Sequence, residues 1–332
     1  IDVNAYASII KKRKEKETMK KLLSLLLVAA LMLSMVACSS TPAATEEAPA
    51  AEAPAEEAPA EEAPAEEAPA EEAAASDLTF AIVPKSAGNP YNEREASGFE
   101  EACAALGVTS IVQYPEDTSA EAQITVINNL VAQGVDGIAV AANDAEALES
   151  TLQAARDSGI VVVTLDSDAK GSQLFVNQAG VTEVGQVLVD SIYDMTGGEG
   201  QFAVLSATST ATNQNSWIAA MEQIISGDAK YENLEWVVTV YGDDESQKSY
   251  DETESLMTNY PDLKVICCPT TVGILACAQA VQNSGSAIKV AGLGLPSEMN
   301  GYVGEGLPCP YMYLWNPIDV GACAAYAIQA FI

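Results

Sequence analysis

From Leu78 onward, short apolar runs rich in valine and isoleucine alternate with amphipathic segments. Of all the features of the sequence, this alternation limits the possible folds most strongly. The apolar runs predict strands at 78–84, 109–113, 137–141, 160–165, 202–206, 234–241, 265–268 and 289–292. The segments between them predict helices at 93–106, 120–132, 144–157, 212–225, 245–259, 272–283 and 318–332. Apolar strands that alternate with helices favour parallel sheets covered on both faces. The two successive runs therefore predict an α/β fold of two doubly wound parallel-sheet lobes.

The N-terminal region has the order of a secretory signal. A basic stretch at 19–21 precedes an apolar run that ends at Val36, so we predict a signal peptide at 19–37. Residues 1–18 lie upstream of the first methionine, and we exclude them from reasoning about the fold. The residues around Cys38 resemble a bacterial lipobox, which predicts a lipid anchor on Cys38. A transmembrane anchor is the alternative, although a membrane span needs roughly 20 apolar residues.

Residues 38–77 have the composition of a disordered linker. Between 41 and 77 there are 11 glutamates and no basic residue, and proline recurs every five residues. Regular proline breaks helices and like charges repel one another, so we predict an extended spacer. The spacer would hold a folded body away from a membrane surface, or it would only add solubility.

Composition excludes several classes of function. The formal net charge of −32 disfavours nucleic acid as a partner. The chain has no histidine, which excludes Ser-His-Asp triads, Cys-His dyads and histidine-ligated zinc. Beyond Cys38, the cysteines lack C-x-x-C spacing, so we predict small buried hydrophobic residues rather than disulfides or metal ligands. The sequence shows no phosphate-binding loop and no dinucleotide fingerprint, and we expect neither a cofactor nor a metal.

Ligands of open α/β sheets bind beyond the carboxyl ends of the strands. The candidate residues that follow the predicted strands, together with two near the end of the chain, are Lys85, Asn89, Tyr91, Asn92, Asn143, Asp144, Asp166, Asp168, Asn213, Gln214, Pro269, Thr270, Thr271, Trp315 and Asn316. Carboxylates and amides pair with hydroxyl groups, and the rings of Tyr91 and Trp315 suit the apolar face of a sugar. The set predicts a site for a polyol or pyranose. Aspartate and asparagine after strands also cap helices and form turns, which is the structural alternative.

Asp166 and Asp168 also allow an enzymatic interpretation. Two carboxylates that flank a glycosidic bond would act as acid and base in glycoside hydrolysis. However, the sequence has no histidine, no G-x-S-x-G elbow, no phosphate-binding loop and no evident cluster of metal ligands. We therefore predict a binding protein rather than an enzyme, and we keep an extracytoplasmic glycosidase as the less favoured alternative.

Several segments of the chain resemble one family of bacterial proteins. They are 83–85, 165–168, 176–178, 211–215, 269–273 and 314–317. Together with the lipobox, linker and two lobes, they resemble ABC-transporter substrate-binding proteins of the ribose-like periplasmic-binding family, and more narrowly the branch that binds rhamnose or autoinducer-2. The resemblance covers about residues 78–332. It implies the fold of a type I periplasmic binding protein, with a small sugar or sugar-like ligand and an ABC permease as partners.

The resemblance also implies roles for single residues. The ligand contacts of autoinducer-2 receptors match Lys85, Asp166, Gln214 and Pro269. Two further contacts differ, because Asn213 replaces an aspartate and Thr271 replaces an alanine. The segments around these two look more like rhamnose-binding members, whereas Asn316 stands where those members carry an aspartate. The aspartate usual in ribose and galactose binders is absent from 292–294.

We interpret the chain as a lipid-anchored, extracytoplasmic solute receptor. Its first lobe is predicted at 78–177 plus 315–332 and its second at 178–314, joined by strands that cross near Asn177 and Leu314. The lobes would hinge shut around a rhamnose-like sugar, and the closed form would dock on the permease. An autoinducer-2 receptor is the main alternative, and a surface protein that only displays the spacer is another. The last helix has no cap, so we expect the chain to lack its true C-terminus.

Overall fold

The computed structural model describes residues 76–332, so the predictions for the signal peptide, Cys38 and nearly all of the linker lie outside the described residues. The strands are β1 (Thr79–Val83), β2 (Thr109–Val112), β3 (Gly137–Val140), β4 (Val161–Leu165), β5 (Leu174–Val176), β6 (Gly200–Ser206), β7 (Leu234–Tyr241), β8 (Leu263–Cys268) and β9 (Lys289–Gly292). The helices are α1 (Pro90–Leu106), α2 (Ala120–Gln133), α3 (Ala145–Asp157), α4 (Val181–Thr196), α5 (Thr212–Gly227), α6 (Ser246–Asn259), α7 (Thr271–Ser284) and α8 (Pro317–Phe331).

The first sheet has five parallel strands in the order β2-β1-β3-β4-β5. Successive side chains of a strand point to opposite faces. Phe80 and Ile82 accordingly belong to an apolar cluster with α1 and α8, while Ala81 and Val83 belong to a second cluster with α2 and α3. The sheet is therefore buried on both faces, and we call it and these four helices the first lobe.

The second sheet has four parallel strands in the order β7-β6-β8-β9. Phe202 and Val204 pack in a cluster with side chains of α4 and α5, and Ala203 and Leu205 pack in another with side chains of α6 and α7. We call this sheet and these helices the second lobe. The predicted α/β fold of two parallel-sheet lobes is confirmed.

Helix α8 follows the second lobe in sequence but packs on the first. Its close approach to α1 depends on two glycines. A β-carbon added at Gly98 would lie 1.9 Å from the carbonyl oxygen of Ile318, and one added at Gly321 would lie 1.8 Å from that of Glu95. The two backbones therefore meet directly, and α8 is fixed against α1 near the point where the chain re-enters the first lobe.

Three local features differ from the prediction or were absent from it. Helix α1 begins at Pro90 rather than at residue 93, because the side chain of Asn89 caps it and proline is favoured in the first turn. This places Tyr91 on the helix. Strand β5 and helix α4 were not predicted. Within residues 76–332, five cysteines are buried, in agreement with the predicted burial, and Cys323 is partly buried.

No helix within residues 76–332 combines the length and the apolarity that crossing a membrane requires.

Candidate functional site

A cavity of about 40 Å³ lies between the two lobes, at the carboxyl ends of both sheets. Its lining comes from loops and helix starts that follow strands of each lobe. The lining residues are Lys85, Asn89, Tyr91, Asn92, Asp166, Asn213, Gln214, Trp217, Asp244, Pro269, Thr270, Thr271, Leu293, Leu314 and Trp315. Eleven of the fifteen candidates named from the sequence are among them, and the other four are Asn143, Asp144, Asp168 and Asn316.

Lys85 and Asp166 form an ion pair at the floor of the first lobe. Lys85 follows β1 and Asp166 follows β4, and their charged atoms lie 3.2 Å apart. Both side chains are almost completely buried. Removing either partner would leave a buried charge without compensation, so each side chain holds the other in place.

The backbone at Asp166 is strained. Its φ is 58°, in the left-handed region, and the N–H of Ser167 donates to the carbonyl of Leu165 across it at 2.5 Å. Aspartate tolerates this region better than most residues because its short polar side chain bonds locally. Strain of this kind occurs at functional sites where surrounding contacts hold the geometry.

Tyr91 and Trp315 form a relay that ends on Asp166. The indole N–H of Trp315 donates to the Tyr91 hydroxyl at 2.7 Å, and that hydroxyl donates to Asp166 Oδ1 at 3.0 Å. Burial, and then the charge of Asp166, raises the pKa of Tyr91 well above its ordinary value, so the hydroxyl stays protonated. Trp315 also packs against Trp217 with ring centroids 5.6 Å apart.

Asn213 links the two lobes. It stands in the first turn of α5, and its side-chain nitrogen donates to Asp166 Oδ2 at 3.0 Å while its oxygen accepts from Lys85 at 2.9 Å. The next residue, Gln214, uses its side-chain oxygen to accept from Ser206 and from the backbone of Ala207. Gln214 therefore fixes the end of β6 as well as lining the cavity.

The sequence prediction for Asn316 is not supported by its position, which is outside the cavity lining. Its side chain accepts the backbone N–H of Ile318 and caps α8, and the residue is exposed. Capping is the structural role that asparagine before a helix commonly has. Asn89 also caps a helix, but it does line the cavity, as do Pro269 and Thr271.

Four of the lining residues were not selected from the sequence, and Asp244 is the ionisable one among them. The others are Trp217, Leu293 and Leu314. Asp244 comes shortly after β7, so inspection of that strand end would have found it. Trp217 lies inside α5, where an apolar residue looks like any other core position.

A sequence profile described as "Periplasmic binding protein domain" matches residues 80–332. The chain belongs to the periplasmic binding protein family. A solute-binding protein of an ABC transporter from Clostridium phytofermentas, solved with bound L-rhamnose, is similar to it, with 49% identity and a TM-score of 0.75 over 78% of this chain and 83% of the other.

Two further relatives of this periplasmic binding protein are more distant. LsrB from Clostridium saccharobutylicum, solved in complex with AI-2, has 27% identity and a TM-score of 0.73, over 76% of this chain and 82% of the other. The D-ribose/D-allose-binding protein of Pseudomonas aeruginosa is 24% identical over 64% of this chain, and the match spans 66% of that protein's length.

A buried carboxyl group lies behind the site of this periplasmic binding protein. Glu95 stands one turn after Tyr91 on α1, is fully buried, and its two carboxyl oxygens have no hydrogen-bond partner among the described residues. Burial, and then the charge of Asp166, raises its pKa well above the ordinary value. Protonation of Glu95 would leave the ion pair of Lys85 and Asp166 as the charged element of the first lobe's floor.

Proposed function

We propose that this periplasmic binding protein captures a small neutral sugar between its lobes and delivers it to an ABC permease. The observation that carries the proposal is the convergence of Lys85 and Asp166 from the first lobe with Asn213 from the second, at one cavity. Carboxylate, amide and ammonium groups placed in this way can each meet a different hydroxyl group. The rings of Tyr91 and Trp315 border the same cavity and offer apolar surface.

The direct contacts between the lobes require the cleft to open before a sugar enters. A cavity of about 40 Å³ has room for only a few water molecules. Asn213 touches both Lys85 and Asp166, so it occupies the place where a ligand would bridge the lobes. In the proposed cycle the lobes part, a sugar replaces these contacts, and the lobes close again on the sugar.

L-rhamnose is the favoured ligand. The solute-binding protein at 49% identity was solved with this sugar, and an identity of that level extends over most of both chains. An autoinducer-2 receptor is the second candidate, because the AI-2-binding LsrB shares the fold at 27% identity. Asn213 and Thr271 argue against autoinducer-2, since they change two of the contacts that its receptors use.

The same proposal covers the rest of the chain. Residues 78–177 with 315–332, and residues 178–314, would act as the two rigid lobes. Cys38 would carry the lipid anchor after removal of the signal peptide at 19–37, and the acidic linker would hold the lobes away from the membrane. The permease would then recognise the closed form of the two lobes.

Calorimetric titration of the full chain tests the proposal. We expect L-rhamnose to bind at one site per chain and more tightly than boron-free autoinducer-2. Tighter binding of autoinducer-2 would favour the second candidate. Absence of binding and of any ligand-induced thermal shift across a panel of neutral sugars would contradict both.

A glycosidase is disfavoured by the separation of the suspected acid pair. Asp166 lines the cavity, whereas Asp168 is exposed and accepts a hydrogen bond from the Thr164 hydroxyl at 2.7 Å. These two carboxylates therefore do not face each other across the cavity as hydrolysis would require. We expect no turnover of aryl glycosides by the full chain, and measurable turnover would contradict this part of the proposal.

A further inference from the structure

Asp244 stands on a strained turn that aims it at the cavity. Asp243 and Asp244 both have positive φ values, 55° and 56°, which is costly for residues other than glycine. Backbone bonds from Gly242 to Ser206 and from Asp243 to Ala207 tie the turn to the end of β6. The turn is therefore held against its local preference by the sheet.

The two neighbouring aspartates have opposite surroundings. Asp243 is partly exposed and pairs with Lys248 on the outside of the turn. Asp244 lines the cavity, and its Oδ1 accepts from the Thr270 hydroxyl at 2.5 Å. Among residues 76–332, this is the one hydrogen bond of the Asp244 side chain, and Oδ2 has no partner. The strained turn thus leaves one carboxylate oxygen of the second lobe open to a ligand.

The acceptor positions of Asp166 are, by contrast, already in use. Its Oδ1 accepts from Tyr91 and Gln178, and its Oδ2 accepts from Asn213 and pairs with Lys85. A carboxylate offers about four acceptor positions, so these contacts fill them. A ligand can reach Asp166 only by displacing a neighbour, whereas it can reach Asp244 Oδ2 directly.

The cavity lining carries more acidic than cationic side chains. Among the described residues 76–332, Lys85 is the one cationic residue in the lining, and Asp166 and Asp244 are both acidic. A ligand that carried a carboxylate or phosphate would meet two like charges and a single opposite charge that Asp166 already pairs. An acceptor-only oxygen is satisfied by a hydroxyl or amine hydrogen, and an anionic group cannot supply one.

We propose that Asp244 is a ligand-contacting residue that determines specificity, accepting a hydroxyl hydrogen from a neutral sugar and excluding anionic sugar derivatives. This inference rests on the proposed function, because it assigns a ligand class to the same site. It adds a contact that comes from neither the ion pair of the first lobe nor Asn213.

Two variants on the same turn test the inference. Asp244→Asn removes the charge and keeps the shape, and Asp243→Asn makes the same change at the neighbouring position outside the cavity. Asparagine tolerates a positive φ, so neither change should strain the turn further. Both are compared with the unmodified full chain by calorimetry, using L-rhamnose and L-rhamnonate, which has the same carbon chain oxidised to a carboxylate.

We expect Asp244→Asn to weaken L-rhamnose binding by roughly tenfold to a hundredfold, since hydrogen bonds to charged groups are the stronger ones. We also expect its preference for L-rhamnose over L-rhamnonate to fall by at least about tenfold. Asp243→Asn should change both quantities by less than about twofold. If Asp244→Asn does not fold, as judged by circular dichroism, Asp244→Gly replaces it, because glycine adopts this φ without strain.

Unchanged affinity and unchanged preference in the folded Asp244 variant would overturn the inference and leave the proposed function intact. Equal effects of Asp244→Asn and Asp243→Asn would also overturn it, because they would indicate a general effect of charge. Failure of the unmodified chain to bind any neutral sugar would instead overturn the proposed function, and the inference with it.

Discussion

Replacing Asp166 with asparagine tests the floor of the site most sharply. The side chain of Asp166 accepts from Tyr91 at 3.0 Å, from Gln178 at 3.2 Å and from Asn213 at 3.0 Å, and it lies 3.2 Å from Lys85. Asparagine keeps one acceptor oxygen, but its amide group would face the donors Asn213 and Lys85. The variant therefore loses the ion pair and places donor against donor.

The expected magnitude follows from the burial of the pair. The side chains of Lys85 and Asp166 are only 11% and 6% exposed, so solvent screens them little. Breaking a buried pair by removing one partner costs about 3–5 kcal/mol, and we expect the free energy of unfolding to fall by about 3 kcal/mol. Asparagine is a cleaner probe than alanine, which would add roughly 1–2 kcal/mol of strain at a φ of 58°.

Urea unfolding and calorimetry measure the two consequences separately. We expect Asp166→Asn to shift the unfolding midpoint downward and to weaken L-rhamnose binding by more than about a hundredfold, or roughly 3 kcal/mol. The matched control is Asp168→Asn, an exposed residue two positions later that should change stability by less than about 1 kcal/mol and leave affinity unchanged. Affinity of Asp166→Asn equal to that of the unmodified chain would show that Asp166 does not contact the sugar.

Burial raises the pKa of Glu95 above its ordinary value. At a pH between the ordinary pKa and the raised one, the folded protein holds a proton that the unfolded chain has lost. The free energy of unfolding therefore falls as the pH rises through this range. In Glu95→Gln, the decrease in the free energy of unfolding between pH 5 and 8 should be smaller by about 1–3 kcal/mol. The same dependence on pH in the variant and in the unmodified chain, measured by urea unfolding, would contradict this. Gly321→Ala, which would force a β-carbon against the backbone of Glu95, should cost at least about 3 kcal/mol, whereas Gly227→Ala, with nothing within 4 Å, should be neutral or slightly stabilising. Equal unfolding midpoints for the two glycine variants would show that α1 and α8 do not meet as described. Trp315→Phe removes the donor to Tyr91 and should weaken L-rhamnose binding about fivefold without changing the melting temperature by more than a few degrees; unchanged affinity would exclude a role for the relay.

The sequence predicted the fold well because its strands and helices carry strong and different periodicities. Most of the predicted strands and helices appear with ends shifted by one to three residues. Strand β5 was missed because Leu174–Val176 is too short to show a period. Helix α4 was missed because it starts with Val181 and Thr182 after a glycine and contains Gly185, all of which have low helix propensity. The apolar face of α4, rather than its local propensity, holds it in place.

The candidate site was predictable where a side chain directly follows a strand. Lys85 and Asp166 were selected in this way, because the carboxyl ends of parallel strands lie at one edge of a sheet. Asn213 lies further along, in the first turn of the helix that follows β6. The contacts of Asn213 with Lys85 and Asp166 were not predictable, since they depend on how far the two lobes close. The same rule applied to every strand end would have selected Asp244. Asn316 lies outside the cavity lining and caps α8, because an asparagine just before a helix accepts a backbone N–H of its first turn.

We expect one sugar to bind between the two lobes and to contact both. A crystal structure of the full chain grown with L-rhamnose tests it most directly. We predict a single sugar between Lys85 and Asp166 on one side and Asn213 and Asp244 on the other, with the direct contacts of Asn213 to the first lobe replaced by contacts to the sugar. A sugar bound outside this cavity, or held by one lobe alone with those contacts intact, would show that the ligand does not bridge the two lobes.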